Sequence, residues 1–361
     1  MVQGRYRSAG IWIAVLLCGV LLVYARGQAP ESGAADTATP SASQLQQGID
    51  LTRQGRFAEA IPYLTKAHES APEDYAAGFN LALCYYGTGQ FKQAIRALAG
   101  LRAEGHNTAA VNNLLAQSYA GDGQSDAAYK ALEDAAHDTP KDEKLYAYVA
   151  DACTDHYDYK LGLRVVDLGL RNMPDSARLH YERAVFLARL DRLDEAKPEF
   201  AAAAKLAPGS DIGYLALVQE RLYEDRLADA LAVAQEGIKA GHRDYQMLSL
   251  LGTVLMHAGA APGQPQFAEA REALEASVAA QPAYSTSQIA LGKLYLMEGR
   301  AKDAVVHLEI GRRLEPRNPA VYTSLASAYR QTGERDKSRE CLQALSRLLS
   351  ENSAKSSASN P

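Results

Sequence analysis

NNLLAQSYAGDGQSDAAYKALEDAAHDTP, Asn112 to Pro140, reads as two helical runs parted at Gly123 and closed by a proline. The small residue in its second half, Ala128, belongs to a column that recurs as Ala60, Ala94, Ala128, Gly162, Ala196, Ala230, Ala270, Ala304 and Ser338. The spacing is 34 throughout except for one step of 40. Twelve residues earlier stand Gly48, Ala82, Ala116, Ala150, Ala184, Val218, Gly252, Gly292 and Ala326, small at all but one position. Small residues facing each other on two helices let the backbones approach as bulky ones would not. Four residues after the anchor the column is bulky: Leu64, Leu98, Leu132, Val166, Phe200, Leu274, Leu308 and Leu342, with Ala234 the exception. A step of four keeps a residue on the same helix face, so this column fills the space between layers.

Punctuation repeats in the same register. Gly55, Gly89, Gly123, Gly259, Gly299 and Gly333 mark the turn between the two helices, where a positive φ suits glycine. Pro72, Pro140, Pro174, Pro208, Pro282 and Pro316 close the second helix, and His106 and His242 take that place in two units. Pro62 and Pro198 fall near the first turn of the second helix, where a missing N–H costs little. The step of 40 comes from Ala260 to Gln266 (AAPGQPQ), read as a surface loop inserted in one inter-helix turn.

Units such as Asn112 to Pro140 and QIALGKLYLMEGRAKDAVVHLEIGRRLEP (Gln288 to Pro316) resemble tetratricopeptide repeats. The resemblance runs from about Ser41 to Ser350 and implies an all-α solenoid, a right-handed superhelix of about nine helix pairs. The units fall at 41–74, 75–108, 109–142, 143–176, 177–210, 211–244, 245–284, 285–318 and 319–350, with 351–361 a disordered tail.

The N-terminus carries Arg5 and Arg7 and then runs uncharged from Ser8 to Ala25. That pattern fits a signal peptide cleaved after Ala25, or a retained anchor of about 27 Å, and in both cases an exported, periplasmic or extracellular chain. Residues 26–40 read as a flexible tether.

A net charge of −5 without a basic run speaks against a nucleic-acid surface. Among the four cysteines, Cys84, Cys153 and Cys341 lie too far apart in a linear array to pair, and read as small buried hydrophobes. No phosphate loop, nucleophile elbow, H-E-x-x-H or zinc-spaced Cys/His set occurs, so neither enzyme activity nor a cofactor or metal site is expected. Asp155-His156-Tyr157-Asp158-Tyr159 reads as a solvated turn.

In the family, partners lie against the first helix of each unit, so the resemblance implies a protein-binding scaffold of unknown partner. Phe79, Leu83 and Tyr86, at i, i+4 and i+7, with Asn113 and Gln117 beside them, form the candidate peptide groove. Ile49 and Leu83 stand where one subfamily places the asparagines of its carboxylate clamp, so that clamp is not carried over. The last helix, Asp336 to Leu349, is expected to turn Ser338, Leu342 and Leu345 inward and Arg339, Gln343, Ser346 and Arg347 to water.

Overall fold

A computed structural model describes residues 40–358. The signal or anchor segment, the tether before Pro40, Cys18 and residues 359–361 lie outside them. The described residues form eighteen helices and no strand. The chain divides into two compact units, Met1–Glu199 and Phe200–Pro361.

In the first unit α1 (Pro40–Arg53) pairs with α2 (Phe57–Ser70), α3 (Tyr75–Gly87) with α4 (Phe91–Ala103), and α5 (Ala109–Gly121) with α6 (Ser125–Asp138). Then α7 (Glu143–Asp155) pairs with α8 (Tyr159–Asn172), followed by α9 (Ala177–Arg189) and the start of α10 (Leu193–Leu206). After the end of α10, the second unit holds α11 (Asp211–Tyr223) with α12 (Leu227–Ala240) and α13 (Tyr245–His257) with α14 (Pro265–Ala280). It closes with α15 (Ser285–Met297) with α16 (Ala301–Leu314) and α17 (Pro319–Thr332) with α18 (Arg335–Ala358).

The small columns are the contact lines of these pairs. From Ala60 to Ala304 every anchor residue is buried, and so is every residue of the column twelve before it. The fit is close: a Cβ at Gly48 would stand 2.6 Å from Leu64, and one at Gly252 2.5 Å from Leu274. Bulky and small columns therefore interlock within each pair. Cys84 and Cys153 are buried and unpaired within this packing, and Cys341 is buried and unpaired on α18.

The turns are identical in bonding even where the residues differ. At the six glycines named above φ is positive, and the same position in the fourth, fifth and sixth repeats holds Tyr157, Asp191 and Asp225 at φ 60°, 61° and 58°. The next N–H returns to a carbonyl five residues back in each, as in Gln90 to Tyr85 at 2.8 Å and Asp158 to Cys153 at 2.9 Å. Backbone closure thus dictates the left-handed residue whatever its side chain, and an L-residue there carries roughly 1–2 kcal/mol of strain.

A further column caps the first helices. Asp74, Thr108, Asp142, Ser176, Ser210, Asp244 and Asn318 each accept a backbone N–H from the first turn that follows. Tyr284, next in the series after the insertion, makes no such side-chain bond.

Several expectations need correction. Leu342 is 52% exposed rather than inward, because among the described residues no later helix pair lies over α18; Cys341 turns inward with Ser338, and Ser338 donates to the Ala326 carbonyl at 2.7 Å. Helix α18 continues to Ala358, through residues assigned to a disordered tail: no Gly or Pro interrupts that stretch, and extending a formed helix adds one bond for each residue fixed. Pro265 and Gln266 belong to α14, with Pro265 in its first turn, so the inserted turn ends at Gln264. Pro62 and Pro198 stand sixth in their helices, beyond the unbonded N–H groups, and each removes one ladder bond. The segment around His156 is a turn, but a fastened one: Asp158 caps α8 through the Leu161 N–H and accepts from Ser125, and His156 meets Phe91 edge-on at 5.0 Å.

Ala128→Leu and Ala230→Leu are expected to overpack their pairs and lower stability by about 1–3 kcal/mol each. Urea denaturation of the purified variants measures this, and transitions matching the wild type would contradict the assigned contact lines.

Candidate functional site

Within the first unit, first helices of successive pairs touch one another: α1 with α3, α3 with α5, α5 with α7, and α7 with α9. Their outward sides form one wall, and the sequence-derived groove residues lie on it.

On α3, Tyr75 and Phe79 stack at 5.5 Å between ring centroids, and both are half-buried. Leu83 is buried, while Tyr86 is half-buried with its ring 5.9 Å from Phe91. The α3 face therefore mixes packing with partly open aromatic surface. On α5, Asn113 and Gln117 are buried and linked: Gln117 Nε2 donates to Asn113 Oδ1 at 2.8 Å, and Asn113 Nδ2 donates to the Leu145 carbonyl at 2.7 Å. That chain ties α5 to α7. What remains for a ligand is the Gln117 oxygen and the second N–H of each amide.

Small residues at the end of α5 open a path across it. Ala120 is buried, and a Cβ on Gly121 would lie 2.6 Å from the Phe91 ring. Over this low place Phe91 reaches His156. Burial pushes the Tyr86 phenol up strongly, with further contributions from the carboxylates of Asp155 and Asp151 and from Cys153, all on α7. Phe91 of the second repeat thus meets the turn that follows α7 in the fourth.

Those charges crowd. On α9, Arg178 Nε donates to Glu182 Oε1 at 2.7 Å, and its terminal nitrogen stands 3.8 Å from Asp151. Glu182 Oε2 is buried with no hydrogen-bond partner. Burial pushes the Glu182 carboxyl up to about 8, Asp151 and then Glu143 adding to the effect and Arg178 opposing it. Asp155 is held up at about 6 by lost hydration and by Asp151. Asp151 is raised by the same desolvation, against the pull of Arg178. Tyr148, one turn before Asp151 and Ala152, is half-buried, and its phenol is raised chiefly by burial. One guanidinium, that of Arg178, therefore stands among three carboxylates, those of Glu143, Asp151 and Glu182.

The sequence-derived set thus splits in two. Phe79 and Tyr86 retain open surface, whereas Leu83, Asn113 and Gln117 are largely engaged in the scaffold. Glu182 and Asp155 were missed as site residues. The signal that could have found them is Arg178-x-x-x-Glu182 on α9 and Asp151-x-x-x-Asp155 on α7, an oppositely charged and an acidic i, i+4 pair in adjoining first helices.

Models of the family described as tetratricopeptide repeat match residues 51–118, 158–211, 263–319 and 319–348. A curated relative, anaphase-promoting complex subunit 7 of Arabidopsis thaliana, is 32% identical over 167 residues. That match takes in 45% of this chain and only 29% of the relative. Among solved structures, yeast Tom70 aligns with a TM-score of 0.55 at 16% identity, covering 92% of this chain and 69% of that one. The Cut9 and Hcn1 hetero-tetramer of the same anaphase-promoting complex aligns with a TM-score of 0.51 at 16% identity, over 86% and 60%. At such identity the likeness concerns the fold alone.

The raised carboxyls set a pH dependence. Between its unfolded value of 4.5 and about 8, Glu182 holds its proton more tightly folded than unfolded, so stability falls as pH rises through that window. His156 and His307, both lowered by burial, act oppositely below their unfolded value of 6.5. The clean measurement is therefore a difference. Glu182→Gln is expected to equal or exceed the wild type in melting temperature, with an advantage that grows from pH 5 to pH 8 in thermal circular dichroism.

Proposed function

Because the chain belongs to the tetratricopeptide-repeat family, we propose that it is a non-catalytic scaffold holding peptide segments of partner proteins on the first-helix wall of its first unit. The observation that carries this reading is the half-buried Phe79 and Tyr86, two turns apart on one face of α3, aromatic area that packing leaves partly open. Beside it lie hydrogen-bonding groups on α5 and charged groups on α7 and α9. Relatives named as parts of multi-subunit assemblies are consistent with a binding role. We further propose that residues 1–25 direct export, so that the array works outside the inner membrane, free or anchored.

A second reading, self-association as a structural component or accessory subunit of an envelope assembly, draws on Leu342 and Leu349, both about half exposed on α18.

The scaffold reading is tested with a peptide array probed by the full chain. Phe79→Ala and Tyr86→Ala are expected to weaken captured peptides by about tenfold or more while leaving the melting temperature nearly unchanged. Lost stability with unaltered affinity would assign both rings to the core. Light scattering addresses the second reading: a monodisperse monomer would remove it.

For export, replacing Leu16, Leu17, Leu21 and Leu22 with Asp is expected to strand the protein in the cytoplasm. Cell fractionation with N-terminal sequencing decides the matter, and a wild-type chain recovered whole and soluble in the cytoplasm would refute export.

A further inference from the structure

The second unit builds a wall of its own. Its first helices touch in succession, α11 with α13, α13 with α15 and α15 with α17. The ninth residue of each is Gln219, Thr253, Lys293 and Ser327, polar in every case and half-buried. Within the described residues Gln219, Lys293 and Ser327 make no side-chain hydrogen bond, and Thr253 bonds only the Ser249 carbonyl of its own helix, at 2.8 Å. In the first unit the same column reads Leu83, Gln117, Asp151 and Val185, and its one amide is taken up by Asn113.

Lys293 is an exception among the basic side chains. Every other half-buried lysine or arginine of the described residues stands against a carboxylate, as Arg271 does with Glu298 and Arg312 with Glu309, each at 2.7 Å. No aspartate or glutamate occurs in α13, α15 or α17, whose only lysine and arginine are Lys293 and Arg330. Carboxylates of the neighbouring second helices are already engaged: Glu275 accepts from Tyr295, Glu298 from Arg271 and Arg300, and Glu309 from Arg312 and Tyr329. Arg330, one turn beyond Ser327 on the same face of α17, is exposed and also stands against no carboxylate of the described residues. In a chain of net charge −5 this stretch of wall is therefore locally positive. A partly desolvated cation gains more from an incoming anion than a fully hydrated one, because water and salt screen it less.

Packed helices lie about 8–10 Å apart, which is about three residues of extended chain at roughly 3.3 Å each. One polar rung per helix therefore matches every third residue of an extended segment, whose peptide groups find donors and acceptors at Gln219, Thr253 and Ser327. We propose that the first-helix wall of the second unit is a docking track for an extended acidic segment of a partner polypeptide, with Lys293 taking a side-chain carboxylate. The inference rests on the scaffold reading for its premise that the array holds polypeptide segments, but it needs neither Phe79 nor Tyr86. It gives the second unit a selectivity of its own, for internal aspartate or glutamate.

The test probes the full chain with an array of end-blocked peptides of about ten residues and unbiased composition, the length that four rungs span. One class of captured peptides is expected to be rich in aspartate and glutamate, to bind Lys293→Gln about tenfold more weakly or worse, and to ignore Phe79→Ala and Tyr86→Ala. Replacing the critical acid of such a peptide with glutamine should weaken wild-type binding equally and make no further difference in Lys293→Gln. Lys293→Arg should retain binding, and Lys293→Glu should prefer the peptide whose acid is exchanged for lysine. A circular-dichroism melt of each variant ensures that folded proteins are compared. Acidic peptides held equally well by Lys293→Gln, or captured only when their C-terminal carboxylate is left free, would overturn the track while leaving the scaffold reading to the Phe79 and Tyr86 variants. An array on which nothing binds would overturn both.

Discussion

The close approach of two helix backbones at the small-residue column is the constraint on which every other feature depends. Where Gly252 faces Leu274 with no room for a Cβ, the pair is fixed in both depth and register. Leu64, Leu98, Leu132, Leu274 and Leu308 are buried into that contact in their own pairs, so nearest-neighbour packing suffices to propagate the array. With the pairs fixed, the first helices are brought side by side, and the wall that carries Phe79, Tyr86, Asp151 and Glu182 follows as a by-product of the packing.

Most of the fold was legible because the repeat exposes its chemistry many times over. A column such as Ala60, Ala94 and Ala128 reveals a contact line that no single alanine could. The same logic applied to the capping residues Asp74, Thr108, Asp142 and Ser176 would have placed each first helix to the residue, but that column mixes four residue types and is easily overlooked. Leu342 was misread for the opposite reason. Periodicity assigns it the role of Leu308, whereas burial depends on a neighbour that α18 does not have within the described residues.

The site was legible in position but not in character. Helix-face spacing located Phe79 and Tyr86 on the wall, yet it could not show that Asn113 and Gln117 would be consumed in tying α5 to α7. Nor could it show that the low place at Ala120 and Gly121 would bring the Phe91 ring of α4 against His156, just after α7. Those are non-local facts: they depend on what is missing from an intervening helix, and repeat alignment averages such exceptions away.

The turn of the seventh repeat has a practical side. Between α13 and α14 it is longer than its counterparts, with positive φ at both Gly259 and Gly263, yet the helices on either side keep the contact columns of the other pairs. Foreign sequence spliced between Ala261 and Gly263 would therefore enter at a point that already tolerates extra chain. It offers a place for a fluorophore or affinity tag that reports on the array from within, far in sequence from the first-helix wall of the first unit.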